Sequence, residues 1–376
     1  MNARQLAISL GFGFRRKTAA PVAEEVTTGG GGASPRVTII GTGLIGASIA
    51  LGLKAKGPKG LVIVGSDRSR DNAKAAEQMH AVDIVDGNPA RAVVGAGLVI
   101  IATPILSIRE VMEDIAHALE PGAVVTDTGS TKADIARWAA EILPEHVAFV
   151  GGHPMAGKTD AGPKAAEGTL FNGARWVITP PKNVPSGAVD VVLGLANVLG
   201  ATPQFMDPEE HDAYVAAISH LPLMAVTAMF RMVRASEAWP EMSLLASSGF
   251  RDTTRLAGTD SAMAHDIAIT NRVQIVHWLQ RYREAIRDLE TEIMDVEREP
   301  ELFRILSEAN MQYSAYREGV VGRREVDDDV VANLPDAGMM DLIMGGALAE
   351  RAREMQRRSE ERLEEREREF RSGGRG

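Results

Sequence analysis

Between about Arg36 and Met206 the chain alternates short runs of aliphatic and β-branched residues with stretches of helical period. The runs include Val37-Thr38-Ile39-Ile40, Leu61-Val62-Ile63-Val64-Gly65, Leu98-Val99-Ile100-Ile101, Ala123-Val124-Val125-Thr126-Asp127 and Val147-Ala148-Phe149-Val150. Unbroken apolar runs this short, bounded by turn residues, predict strands buried on both faces, and their alternation with helices predicts a parallel sheet with helices on its two sides. From Asp207 the period changes. Leu223, Val226, Thr227 and Phe230, and later Val273, Val276, His277 and Gln280, recur at helical spacing, so an all-helical half follows the α/β half. Helices apolar over so much of their surface predict a core shared with a second subunit, hence a homodimer.

The expected division is therefore an N-terminal extension (residues 1–35), an α/β domain (36–206), a helical substrate and dimerisation domain (207–345) and a charged helical tail (346–376). The extension carries Arg4, Arg15, Arg16 and Lys17 with no acid before Glu24. It ends in a Gly29-Gly30-Gly31-Gly32-Ala33-Ser34-Pro35 run that buries too little to order itself. The tail pairs Glu354 with Arg358, Glu364 with Arg368 and Glu367 with Arg371 at i,i+4, each adding about 0.2–0.5 kcal/mol to a solvated helix.

Composition narrows the chemistry. A chain of 376 residues, 45% hydrophobic and 24% charged, can bury the core of two soluble domains. Its net charge of −10 provides no overall cationic field for nucleic acid or anionic lipid. No uninterrupted apolar run reaches the about 20 residues of a membrane span. We expect a soluble, cytoplasmic protein with neither nucleic acid nor membrane as partner. There is no cysteine, which excludes disulfides, thiolate nucleophiles and Cys-ligated metals. No metal is expected, and the chemistry falls to His, Ser, Arg and carboxylates.

The first strand runs into Gly41-Thr42-Gly43-Leu44-Ile45-Gly46, a G-x-G-x-x-G turn opening a helical stretch. Gly41 permits the tight turn, Gly43 lets backbone approach a pyrophosphate, and Gly46 lets the helix pack on the strand, so helix N-terminal N–H groups face the anion. This is a Rossmann-type nucleotide-binding pattern, with Leu44 and Ile45 inside it. Asp67, just past the second strand, is placed to accept from the adenosine ribose. Ligands in such sheets sit beyond the carboxyl ends of the strands, which adds Thr103 and Pro104 to the cofactor set. A carboxylate at Asp67 repels a 2′-phosphate and favours NAD, while Arg68 and Arg70 keep NADP as the alternative.

His153 is the leading catalytic candidate, because imidazole titrates near neutrality and can take a proton from a hydroxyl as hydride leaves. Gly151, Gly152 and Gly157 around it predict a loop free to curl about a small ligand. Ser130 and Lys132 follow a strand-end turn; a hydroxyl there can hydrogen-bond His153 and a substrate oxygen, cap the helix expected over 133–143, or do both. His211 and His220 lie where the helical domain begins, and either fits a buried, satisfied polar group. Arg251 and Arg255 offer forks suited to a carboxylate, or a helix-terminal ion pair.

Seven motifs occur in order: Gly41-Thr-Gly-Leu-Ile-Gly-Ala-Ser, Ala102-Thr-Pro, Asp127-Thr-Gly-Ser-Thr-Lys, Gly151-Gly-His-Pro-Met-Ala-Gly, His211-Asp, Ser219-His-Leu-Pro and Asp252-Thr-Thr-Arg-Leu-Ala. As a set they resemble the prephenate/arogenate dehydrogenase family of tyrosine biosynthesis. The resemblance implies a Rossmann-type domain followed by a helical dimerisation domain and NAD-dependent oxidative decarboxylation of prephenate to 4-hydroxyphenylpyruvate and CO2. It makes His153 the acceptor of the ring hydroxyl proton, Ser130 its polarising partner, Arg255 the ligand of a substrate carboxylate and His220 a nearby substrate residue. Two positions depart from the family pattern. Leu223 stands where many bacterial members have a second histidine, which keeps arogenate open as substrate, and Ala264, beside His265, stands where a Trp is common. No regulatory ACT domain is expected after Glu297. The competing readings are arogenate dehydrogenase, a β-hydroxyacid or pyrroline-carboxylate enzyme, and a non-catalytic dinucleotide sensor.

Overall fold

The structure is a computed structural model, and it describes residues 35–158 and 160–319. The expected N-terminal extension, apart from Pro35, lies outside the described residues, as do the tail at 346–376 and the end of the helical region from 320. Two compact units follow one another along the chain, the first ending at Arg283 and the second beginning at Glu284.

The first unit is built on a six-stranded parallel sheet of β1 (Arg36–Ile40), β2 (Val62–Ser66), β3 (Ile84–Val85), β4 (Leu98–Ile101), β5 (Val124–Asp127) and β6 (Ala148–Phe149). The spatial order is β3-β2-β1-β4-β5-β6, so the winding reverses between β1 and β4, where a doubly wound sheet opens its ligand crevice. The side-chain period of two divides each central strand between two cores. Val37 and Ile39 of β1, with Leu98 and Ile100 of β4, join one core with Ile49 and Leu53 of α1 (Leu44–Lys56). Ile40, Val99 and Ile101 join the other, against Ile108, Met112 and Ile115 of α3 (Ile105–Ile115) and Ile135 and Trp138 of α4 (Ala133–Ile142). Between them in sequence, α2 (Arg70–Gln78) follows β2. Continuous apolar runs in the sequence are what two-sided burial requires.

One expectation is corrected here. The glycine-rich stretch around His153 is not a free loop: β7 (Gly151–Pro154) pairs antiparallel with β8 (Arg175–Thr179), which pairs parallel with β9 (Thr202–Phe205) across α5 (Ser186–Val198). Gly151 and Gly152 serve close packing rather than freedom. A Cβ on Gly151 would lie 2.3 Å from Thr179 Oγ1, and one on Gly152 2.7 Å from the Asp127 carbonyl oxygen.

Beyond β9 come α6 (Pro208–Val215), a π-helical turn (Ala216–His220) and α7 (Leu221–Arg234). Pro222 stands in the first turn of α7, where its missing N–H adjoins the π turn. The stretch Pro208–Arg234 is long and apolar enough, by length and composition, to cross a membrane, although no uninterrupted apolar run of that length occurs in it. His211-Asp212 and His220 interrupt its apolar run without removing its apolar average. Leu223 of α7 is packed in the second core with Ala216, Ile267 and Ile275. The unit continues through α8 (Trp239–Leu245), α9 (Ser248–Thr254), a 3₁₀ turn (Arg255–Gly258) and α10 (Ser261–Thr270) into α11 (Arg272–Met294). The second unit takes up the end of α11 and holds α12 (Glu299–Arg317), where Arg304 bonds Glu301 and Glu308 along one face.

Candidate active site

A cleft of about 1090 Å³ opens beyond the carboxyl ends of β1, β4 and β5. It is lined by Gly43, Thr103, Ser130, His153, Arg255 and Asp266 among others, and Leu44, Ile45 and Pro104 also reach it. Residues up to 223 positions apart in the sequence (43 to 266) thus share one cavity.

The glycine turn forms one wall. Gly41 has φ +93°, a backbone conformation costly for any residue with a Cβ, and such a Cβ would lie 2.4 Å from the Ala102 carbonyl oxygen. A Cβ on Gly46 would lie 1.9 Å from the Gly41 carbonyl oxygen, whereas one on Gly43 would meet nothing within 4 Å. Gly41 and Gly46 are therefore required by the fold, and Gly43 leaves open space at the N-terminus of α1. That terminus has no side-chain cap and no acid in its first turn, which leaves its N–H groups to an anion.

Asp67 is not among the residues lining the cleft. Its Oδ2 accepts from the Thr42 N–H (2.7 Å) and Thr42 hydroxyl (3.0 Å) and its Oδ1 from the Ser69 N–H (2.8 Å), so the carboxylate braces the glycine turn.

His153 stands on β7 opposite Val177. Its Nδ1 is 2.8 Å from Nε2 of His211, and Nδ1 of His211 is 2.8 Å from Oδ1 of Asp212. The Asp212 carboxylate also accepts from the Lys132 N–H (2.8 Å) and the Ala133 N–H (2.9 Å), capping α4 from another part of the chain. Ser130 does not provide that cap, because the helix begins at Ala133 with Lys132 at the N-cap. Ser130 instead lines the cleft together with His153. Burial pushes the His153 imidazole well below its ordinary pKa, and the neighbouring His211, Lys132 and His220 act in the same direction. It is held neutral, the form that can accept a proton.

Lys132 is itself buried. Its ammonium pairs with Asp127 and donates to the Gly152 carbonyl oxygen (2.7 Å), while Asp127 accepts from the N–H groups of Gly129 (2.8 Å) and Gly152 (3.1 Å). The end of β5 is thereby fastened to the strand that carries His153.

His220, implied as a substrate residue, is not brought to the cleft. It is 1% exposed, its Nδ1 accepts from the Asn271 amide (3.2 Å), and that amide also donates to the Asp212 carbonyl oxygen (2.7 Å). Burial lowers its pKa to about 4, opposed by Asp212 and assisted by His211. Of the two readings open for His220 in the sequence, the satisfied buried group is the one its surroundings match. Leu223 and Ala264 also lie in the apolar packing rather than along the cleft, and His265 is largely exposed, 3.6 Å from Asp266. Asp266 was not singled out in the sequence. It lines the cleft and accepts from the Leu106 N–H (3.1 Å), so a second acid from the helical region caps a helix of the sheet layer. Neither Asp212 nor Asp266 could be placed by local pattern, because their partners are 80 and 160 residues away.

A doubly wound sheet, an anion-ready helix terminus and a neutral imidazole on one cleft define a nucleotide-dependent dehydrogenase. Residues 49–203 match the family model for the prephenate dehydrogenase nucleotide-binding domain, and residues 207–308 the model for the prephenate dehydrogenase dimerization domain. The prephenate dehydrogenase of Bacillus subtilis is 35% identical over 324 residues, 84% of this chain and 85% of that protein. Among solved structures, prephenate dehydrogenase from A. aeolicus in complex with hydroxyphenyl propionate and NAD+ superposes with a TM-score of 0.70 at 27% identity, covering 76% of this chain and 99% of that one. Synechocystis arogenate dehydrogenase gives 0.65 at 31% identity, covering 75% and 99%. The chain belongs to the prephenate dehydrogenase family.

Proposed function

We propose that this protein catalyses NAD-dependent oxidative decarboxylation of prephenate to 4-hydroxyphenylpyruvate and CO2, as a cytoplasmic homodimer serving tyrosine biosynthesis. The observation that carries the reading is the sharing of one cleft by the glycine turn, Ser130, His153 and Arg255. The A. aeolicus relative was solved with a phenolic acid and NAD+ together, which matches a cavity built for a dinucleotide beside an aromatic carboxylate.

The N-terminus of α1 and the open face of Gly43 fit a pyrophosphate, Thr103 and Pro104 border it, and Asp67 has acceptor capacity left for ribose hydroxyls. NAD, when bound, supplies the acceptor for the hydride released from ring C4. His153 takes the proton of the ring 4-hydroxyl, and Ser130 hydrogen-bonds that hydroxyl and aligns it. Arg255, exposed at the cleft in its 3₁₀ turn, holds a substrate carboxylate. Loss of the ring carboxyl as CO2 then aromatises the ring, so the protein's work is to orient, deprotonate and hold. Leu244, Leu245 and Val273 of the helical region are 85%, 84% and 78% exposed, apolar side chains that a partner subunit could cover.

The test is initial-rate NADH formation from prephenate, with arogenate and NADP as the comparison substrate and cofactor. Turnover is expected with prephenate and NAD. Folded protein that binds NAD yet oxidises neither acid overturns the reading.

A further inference from the structure

His211 and Asp212 lie behind His153, away from the cleft, with side chains 0% and 5% exposed. Their hydrogen bonds determine one another. The Asp212 carboxylate receives two backbone N–H groups at the start of α4, from Lys132 and Ala133. A carboxylate only accepts. The third bond to it, from His211 Nδ1 at 2.8 Å, must then carry its hydrogen on the imidazole. A neutral His211 with a hydrogen on Nδ1 has a bare Nε2, and this is the atom 2.8 Å from His153 Nδ1. Between two neutral rings, the hydrogen in that bond belongs to His153. The neutral His153 ring can hold only one, so its Nε2 is bare, and Nε2 is the edge not turned toward His211.

We propose that His211, oriented by Asp212, is a positioning residue that locks His153 in the Nδ1–H tautomer and so presents Nε2 to the substrate hydroxyl. The opposite tautomer has a hydrogen where the base must be, and cannot act. When His153 takes the proton at Nε2, the positive charge is shared along a bond to His211 and faces the fixed Asp212 carboxylate. The logic is that of an imidazole held by a second group in hydrolytic triads, with a histidine inserted between base and carboxylate. The inference rests on the function proposed above.

Asp212 also caps α4, so the discriminating substitutions are at His211. His211→Leu removes the acceptor at similar volume, while His211→Gln can return an oxygen to the place of Nε2. We expect His211→Leu to lower kcat about 100-fold or more with KM for prephenate and Kd for NAD within about threefold, and His211→Gln to recover at least about tenfold of that loss. Wild-type kcat in His211→Leu, or equal loss in both variants, overturns the proposal. A second measurement needs no variant of the dyad to fold. In ¹⁵N NMR of the wild-type protein, with the His153 ring assigned by difference against His153→Asn, Nδ1 is expected to be protonated and Nε2 bare; the reverse overturns it. Absence of turnover by the wild type would instead strike the functional reading, and the tautomer would still be read.

Discussion

Lys132 and Asp127 form an ion pair whose side chains are 1% and 0% exposed, and both clasp the backbone of Gly152, the residue before His153. A buried pair of this kind adds little net stability, but breaking it leaves a charge without compensation. Lys132→Met is expected to cost about 3–5 kcal/mol in urea unfolding and to lower kcat through displacement of β7. A loss under about 1 kcal/mol would show that Asp127 finds other partners.

The glycine turn separates folding from binding. Gly41→Ala forces a Cβ to within 2.4 Å of a carbonyl oxygen at φ +93° and should lower Tm by several degrees. Gly43→Ala meets no atom within 4 Å and should leave Tm unchanged, while Kd for NAD, read by fluorescence titration, rises about tenfold or more. Unchanged NAD affinity in Gly43→Ala would remove the pyrophosphate from that wall.

Arg255 lines the cleft from an exposed 3₁₀ turn. Arg255→Ala should raise KM for prephenate by about ten- to a hundredfold, the range for a lost charged hydrogen bond, with kcat changed less. A KM equal to wild type would relieve Arg255 of the carboxylate.

Burial lowers the pKa of both His153 and His220, and acid acts on each in a different measurable quantity. Because burial holds His153 neutral to well below pH 6.5, the acid limb of kcat/KM is expected well below 6.5 and not at the pKa of a free imidazole. A limb at 6.5 or above would contradict the burial. For His220 the folded pKa of about 4 lies below the unfolded value of about 6.5, so the unfolded chain takes up a proton first as the pH falls. Its contribution to stability is intact above pH 6.5 and is lost progressively down to about 4. His220→Gln should therefore show a flatter fall in unfolding free energy between pH 7 and 5 than wild type. Parallel curves would place the titration elsewhere; His211, Asp212 and Asn271 are its neighbours.

Sequence pattern alone determined the elements whose cause is local. Buried strands such as Leu98-Val99-Ile100-Ile101 announce themselves by unbroken apolar runs, and the turn at Gly41 by spacing that only a tight strand-to-helix connection demands. The order in which helices replace strands after Asp207 is likewise a matter of period. The tertiary structure decided what depends on residues far apart. It made the Gly151-Gly152-His153 stretch a strand, because its partner β8 begins at Arg175 and its glycines are needed against Thr179 and Asp127. It moved His220 out of the cleft into a bond with Asn271, turned Asp67 toward Thr42, and set His211 and Asp212 behind His153 across 58 and 59 residues of chain. Hydrophobic periodicity records which face of an element is buried, but a hydrogen bond between two side chains leaves no periodic trace, so the partners of a buried histidine are known only when the chain has folded.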